Sequence, residues 1–300
     1  MIVPYKKENI KIIPYKNGEK LNEEYENICT LILNESLGAF ENQYSICKEI
    51  APIILDMYKT HNASNVVKLE IKCPIKEVHI NVNKDIPKGT MIMYTYGNIN
   101  RINNELGIIG VNIFIPQSFA ITKDDEFILK EIENCIAHEF MHGNIFLKRL
   151  DNNLEVLDAP QEYETYLTII RETDNNSILY KYAYGMYSTY YQEMQAIISQ
   201  SSVQLRNILN KPNASNDEIK EALKQTEAYQ IYTQNAYDLG AYLESTKDDD
   251  IIWEYLSNEL LKYGININTK TLEKNIKKII NRSNVAIFKI MKNAMHYLMN

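Results

Sequence analysis

Three hundred residues suffice for one large domain or two modest ones, and 45% hydrophobic with 24% charged residues is ordinary globular usage. A formal net charge of −7 argues against any general attraction for nucleic acid or an anionic membrane. The four cysteines, Cys29, Cys47, Cys73 and Cys135, make no CxxC pair, so a reducing compartment is expected rather than a disulfide framework. Met1 to Ile10 has no apolar h-region, and no stretch approaches the roughly 18 apolar residues of a membrane span. The sequons at Asn62 and Asn213 carry little meaning without a secretion signal. These features predict a soluble, cytoplasmic protein with no membrane partner. The 22 Tyr against 1 Trp, with abundant Ile, Asn and Lys, read as a coding bias toward A and T.

Residues 21–60 carry apolar side chains at helical spacing: Leu21, Tyr25, Ile28, Ile32 and Leu33, then Ile50 to Tyr58. The period changes at Val66. Leu69, Ile71, Cys73 and Ile75 alternate with polar residues, as do Val78, Ile80 and Val82, which predicts two strands joined near Pro74. Met91 to Tyr96 and Gly107 to Ile115 read as two more. A helix is expected from Thr122, with Thr122 and Asp125 as a capping-box-like pair, to about Leu147. Its apolar stripe is Leu129, Ile132, Ile136 and Phe140.

Residues 151–160 read as a loop before a short helix, Tyr180 to Tyr191 as a tyrosine-dense stretch around Gly185, and 190–210 as a helix. Ser215 to Glu218 forms a second capping box, and Gly264 is placed to stop a later helix. Residues 265–300 hold seven Lys and Arg against one Glu, a net of +6, read first as a solvated helix face. The organisation expected is a mixed α/β part over 1–150, ending in the Thr122 helix, and a helical part over 151–300.

The residues that carry chemistry lie on the Thr122 helix. His138 and His142 are four apart, which puts both imidazoles on one helix face, one turn from each other, where they can converge on one ion. Glu139 follows the first directly and can take a proton from a water at the metal. Each histidine is two positions from an apolar residue, Ile136 or Phe140, and two positions is about 200° of rotation. The metal face therefore points away from the buried stripe. Gly143 gives room beside the second ligand. Cys135, three residues before His138, fits a small buried thiol better than a ligand or a cysteine switch. His79, between Val78 and Ile80, reads as a solvent-side strand residue.

Ile136-Ala137-His138-Glu139-Phe140-Met141-His142-Gly143, preceded by strands, resembles the active-site helix of zincin metallopeptidases. The specific match covers about a dozen residues. The resemblance implies an α+β fold whose N-terminal half is zincin-like, a twisted mixed sheet over the motif helix, with a mainly helical C-terminal half. Gly107 to Ile115 would then be the edge strand that holds an extended peptide. It also implies a bound Zn²⁺ and a peptide or protein substrate.

Catalytic zinc takes three protein ligands and keeps one position open. The metzincin positions hold Ile145 and Lys148, which do not fit. Gluzincins instead supply a Glu from a later helix. Glu193, in Glu193-Met194-Gln195-Ala196, resembles their Glu-x-x-Ala pattern, in which the small residue lets two helices pack closely. Glu162, Glu164 and Asp158 remain alternatives. The set is then His138, His142 and Glu193 for zinc, with Glu139 as the catalytic base. No His lies between residues 143 and 295, so a Tyr is favoured as helper to the oxyanion; Tyr187, Tyr190 and Tyr191 are nearest in sequence, though each also suits an aromatic core. The alternative function is a non-catalytic, zincin-fold structural protein in a larger assembly such as a phage particle.

Overall fold

The computed structural model describes residues 44–68, 75, 77–83, 92–96, 108–151, 161–209, 214–245 and 250–299. The expected helix over 21–60 is described from residue 44 onward and its earlier part lies outside the described residues; residues 44–60 are α1. Four strands follow: β1 (Ser64–Lys68), β2 (Glu77–Asn83), β3 (Ile92–Tyr96) and β4 (Ile108–Phe114). The helices after them are α2 (Phe119–Thr122), α3 (Asp125–Asp151), α4 (Gln161–Glu172), α5 (Ile178–Ser188) and α6 (Tyr191–Leu209). The last four are α7 (Asn216–Lys224), α8 (Glu227–Ser245), α9 (Asp250–Lys262) and α10 (Thr269–Met299).

The expected α+β, zincin-like arrangement does not hold. The chain is mostly helical, and its strands, of 5 to 7 residues each, make one small sheet in the order β1-β2-β4-β3. The reason lies in how little of the chain has period-2 patterning. It is confined to segments before residue 115, whereas from Asp125 onward the described chain is almost wholly helical. So much helical apolar surface needs other helices to cover it. A second expectation also changes. The segment at Gly107 to Ile115 is no edge strand, because β4 pairs parallel with β2 on one side and antiparallel with β3 on the other.

Three apolar cores result. In the first, Ile46, Ile50 and Ile54 of α1 meet Val78, Ile80 and Val82 of β2, Val111 and Ile113 of β4, and Ile128, Ile132, Ile136 and Phe140 of α3. The second joins α4, α5, α8, α9 and α10, and the third α6, α7, α8 and α10. Helix α6 adds Val203 to the first core while placing Met194, Ile197 and Ile198 in the third, so it links the sheet part to the helical bulk.

Local chemistry sets several helix ends. The cap of α3 is Asp124, not Thr122: its Oδ1 accepts from Phe127 N at 2.7 Å. Thr122 instead closes α2, with its hydroxyl on Ser118 O at 2.8 Å. Ser215 and Glu218 form the expected capping box of α7. Helix α9 ends at Gly264, whose φ of +82° is costly for any other residue. Ile265 N reaches back to Leu260 O at 3.1 Å and Gly264 N to Leu261 O at 2.9 Å, the paired bonds of a Schellman end.

Helices α5 and α10 touch at Gly185. A Cβ there would stand 2.6 Å from Ile279 Cγ2, and Ile279 is fully buried. Gly185→Ala is therefore expected to destabilise the protein by about 1–3 kcal/mol through overpacking, despite the better helix propensity of alanine. Denaturant unfolding measures it, and an unchanged or raised midpoint would contradict the close approach.

Candidate metal centre

Two helices build the site. On α3, Ile132, Ile136 and Phe140 are fully buried, while His138 and His142 keep side-chain exposures of 19% and 20% on another face. On α6, Glu193 lies in the first turn and its side chain is only 4% exposed. Ala137 on α3 and Ala196 on α6 are fully buried, and such small residues allow the close packing of these two helices. A polar clamp ties the same helices farther from the histidines. Glu133, 1% exposed, accepts from Lys48 Nζ at 2.6 Å and from Asn207 Nδ2 at 2.7 Å, joining α1, α3 and α6.

His138 Nε2 and His142 Nε2 are 3.2 Å apart. Glu193 Oε1 is 3.3 Å from His142 Nε2, and its Oε2 is 3.6 Å from His138 Nε2. The ligand atoms of His138, His142 and Glu193 all lie within 4.8 Å of one another, and the group could hold a metal ion. Glu139, next to His138, is half-buried. Its charge acts on both His138 and Cys135.

The protonation of the group follows from burial and from Glu193. Burial pulls His142 down to about 4, helped by the charge of His138 and opposed by Glu193. His142 is therefore neutral at ordinary pH, the form that ligates. Burial also acts to lower His138, but the Glu193 carboxylate 3.6 Å from its Nε2 and the charge of Glu139 outweigh that, and His138 sits above the usual histidine range. For Glu193, burial acts upward and is outweighed by the two nearby imidazoles, His138 first, and by the Tyr187 hydrogen bond, leaving it at about 2. The carboxylate is thus ionised in its buried position.

Two tyrosines complete the surroundings. Tyr187 OH donates to Glu193 Oε2 at 2.5 Å, and Tyr163 OH donates to Glu193 Oε1 at 2.8 Å. Their rings are 5.1 Å apart. Burial, then the charge of Glu193, pushes both phenols above their ordinary range, so both remain protonated donors. Tyr190 does not reach Glu193; its ring stands against Tyr163 and packs on the second core. The side chain of Tyr191 lies outside the described residues.

Glu162 and Glu164 are exposed on α4 and stand outside the group, and Asp158 lies outside the described residues. Cys135 is a free thiol that burial, then the charges of Glu131, Glu139 and Glu227, keep protonated. His79 is 45% exposed on β2 and pairs with Glu77 at 2.6 Å.

Sequence reasoning missed two residues. Gln200, whose side chain helps His138 keep its proton, lies seven positions after Glu193, two turns along the same face of α6, a spacing that could have pointed to it. Tyr163 carries no such signal, because only the packing of α4 on α5 brings it to Glu193. Tyr163→Phe removes one bond that orients the carboxylate and is expected to weaken metal affinity by up to about 10–100-fold, read by chelator competition. An affinity unchanged within twofold would remove Tyr163 from the site's support.

Comparison with known proteins brings no family to this chain: no protein-family model, no curated protein and no solved structure matches it. Among the described residues, no helix is long and apolar enough to cross a membrane.

Proposed function

We propose that this protein is a zinc-dependent peptidase, with His138, His142 and Glu193 as zinc ligands and Glu139 as general base. The observation that carries the reading is the convergence of two imidazole nitrogens and one carboxylate, with ligand atoms within 4.8 Å of one another. Zinc bonds to histidine nitrogen and carboxylate oxygen are about 2.0–2.1 Å, and a tetrahedron of that size has edges of about 3.3–3.4 Å. The two imidazole nitrogens are 3.2 Å apart and His142 Nε2 is 3.3 Å from Glu193 Oε1, both close to such an edge, while the other carboxylate oxygen, Oε2, stands 3.6 Å from His138 Nε2. Two nitrogens, one oxygen and an open fourth position form the donor set of a hydrolytic zinc rather than a closed structural one. The likeness of the motif helix to that of zincin metallopeptidases supports the same reading and concerns that helix alone.

Held by His138, His142 and Glu193, a zinc ion would supply Lewis acidity to a water and to a carbonyl under attack. The remaining work falls to the chain. Glu139 accepts a proton from the water and then delivers it to the leaving amine. Tyr187 and Tyr163 stay protonated, so either can turn from Glu193 and donate to the oxygen that gains charge. The two phenols orient a carboxylate otherwise closed off from water.

The test is to load purified protein with zinc and expose it to a diverse peptide mixture, with new termini read by mass spectrometry. Cleavage that a chelator abolishes and zinc restores is the expected result. Zinc binding at these three residues without cleavage of any peptide would overturn the peptidase reading and leave a non-catalytic ion.

A further inference from the structure

The basic C-terminal segment has a defined place beside this site. Lys270, Lys274 and Lys278 recur every four residues on α10, about 6 Å apart along the axis, and all three are exposed. Among the described residues no carboxylate lies within 4 Å of their ammonium groups, whereas Lys277 pairs with Glu273 at 2.6 Å. One turn beyond Lys278, Arg282 Nη1 donates to Thr189 O at 2.7 Å. Thr189 caps α5 two residues after Tyr187 and four before Glu193. Arg282 thus anchors the basic stripe to the corner that carries the metal ligand and the phenol.

The other end of the link is Glu162. Its charge acts on Lys278 and on Tyr190, and the next residue, Tyr163, bonds Glu193. Partial desolvation, then the repulsion of Arg282 and Lys274, draws Lys278 below the ordinary lysine range, against the pull of Glu162. The stripe is therefore short of negative charge, and its Arg282 end meets the backbone four residues before Glu193.

We propose that Lys274, Lys278 and Arg282 form a subsite that selects substrates bearing acidic side chains to one side of the cleaved bond. This inference rests on the peptidase reading. A stripe of two helical turns matches about three or four residues of extended peptide at roughly 3.3 Å each. It is too short to follow a nucleic acid, and the protein's net charge of −7 opposes a polyanion elsewhere on the surface. The charge of Glu162 at the edge of the subsite moderates the preference.

The experiment compares peptides matched except for Asp/Glu, Asn/Gln or Lys/Arg on one side of a common cleavable core. At low salt the zinc-loaded protein is expected to favour the acidic over the neutral set about tenfold in kcat/KM, shrinking as salt rises. The double variant Lys274→Gln/Lys278→Gln should bring that ratio close to one, and Glu162→Gln should raise it. Cleavage with no acidic preference, or a preference untouched by the double variant, overturns the subsite and leaves the peptidase standing. If no peptide is cleaved, the peptidase reading fails, and fluorescence anisotropy of the labelled peptides on the zinc-loaded protein still decides the subsite. Acid-selective binding lost in the double variant supports it. Equal binding of all three sets, or tighter binding of a short single-stranded oligonucleotide, overturns it.

Discussion

Glu193→Ala is expected to leave the purified, zinc-loaded protein nearly free of zinc, where the parent is expected to carry close to one ion per chain. The substitution removes one of three ligands, so the loss of affinity should exceed the roughly 10–100-fold typical of an outer partner such as Tyr163. It also strips the acceptor from the Tyr163 and Tyr187 hydroxyls and from the His138 ring, and each buried donor left unpaired costs about 1–3 kcal/mol. Glu193→Gln keeps a hydrogen-bond acceptor and separates the two effects: stability should largely recover while metal does not. Glu162→Ala, on the exposed face of α4, should retain zinc. The reverse pattern, zinc lost with Glu162 and kept with Ala at 193, would sink the ligand assignment.

Acidity bears on the same measurement. His138 holds its proton to higher pH than an ordinary histidine because Glu193 and Glu139 stabilise the charged ring. A metal must displace that proton, so apparent zinc affinity should fall as pH drops through the His138 titration, with protons released on binding. His142, drawn down to about 4, competes only in acid. Chelator competition across a pH series reads both the slope and the release, and a flat affinity profile from mildly acid to mildly alkaline pH would contradict this account.

Glu139→Gln should abolish turnover while sparing the ion. A positioned general base contributes about 10²–10⁴-fold, and glutamine of the same size cannot accept the proton. Zinc content should remain close to that of the parent, because Glu139 is not among the three converging ligands. Loss of cleavage by at least a hundredfold with zinc retained is the expected pair of results. Zinc retained with cleavage undiminished would remove Glu139 from the chemistry.

The local devices were readable because each is decided by neighbours in the chain. Ser215 with Glu218 and Gly264 after α9 depend on backbone groups a few residues away, and both form as the spacing suggests. The shift of the α3 cap from Thr122 to Asp124 shows the limit: two side chains two positions apart compete for the same end, and the one that reaches Phe127 N wins. The misplaced edge strand has a different origin. Whether β4 is inner or outer depends on where β3 lands after a long connection, and alternation along β4 looks the same in both cases.

By itself the sequence determined that His138 and His142 share one helix face, since a separation of four puts their Cβ atoms about 5–6 Å apart, and in the structure their rings stand 5.0 Å apart. It also determined that a buried stripe must oppose them. Which carboxylate would join was a question among Glu193, Glu162, Glu164 and Asp158 that no local rule could close. Only the packing of α6 on α3, fixed by Glu133 with Lys48 and Asn207 and by the burial of Ala137 and Ala196, put Glu193 there. The packing of α4 on α5 brought in Tyr163, and the need to cover so many helical apolar faces overturned the expected α+β layout. Tertiary structure had to decide these matters because they rest on contacts between residues far apart in the chain, whose pairing is set by how all the apolar faces are covered at once.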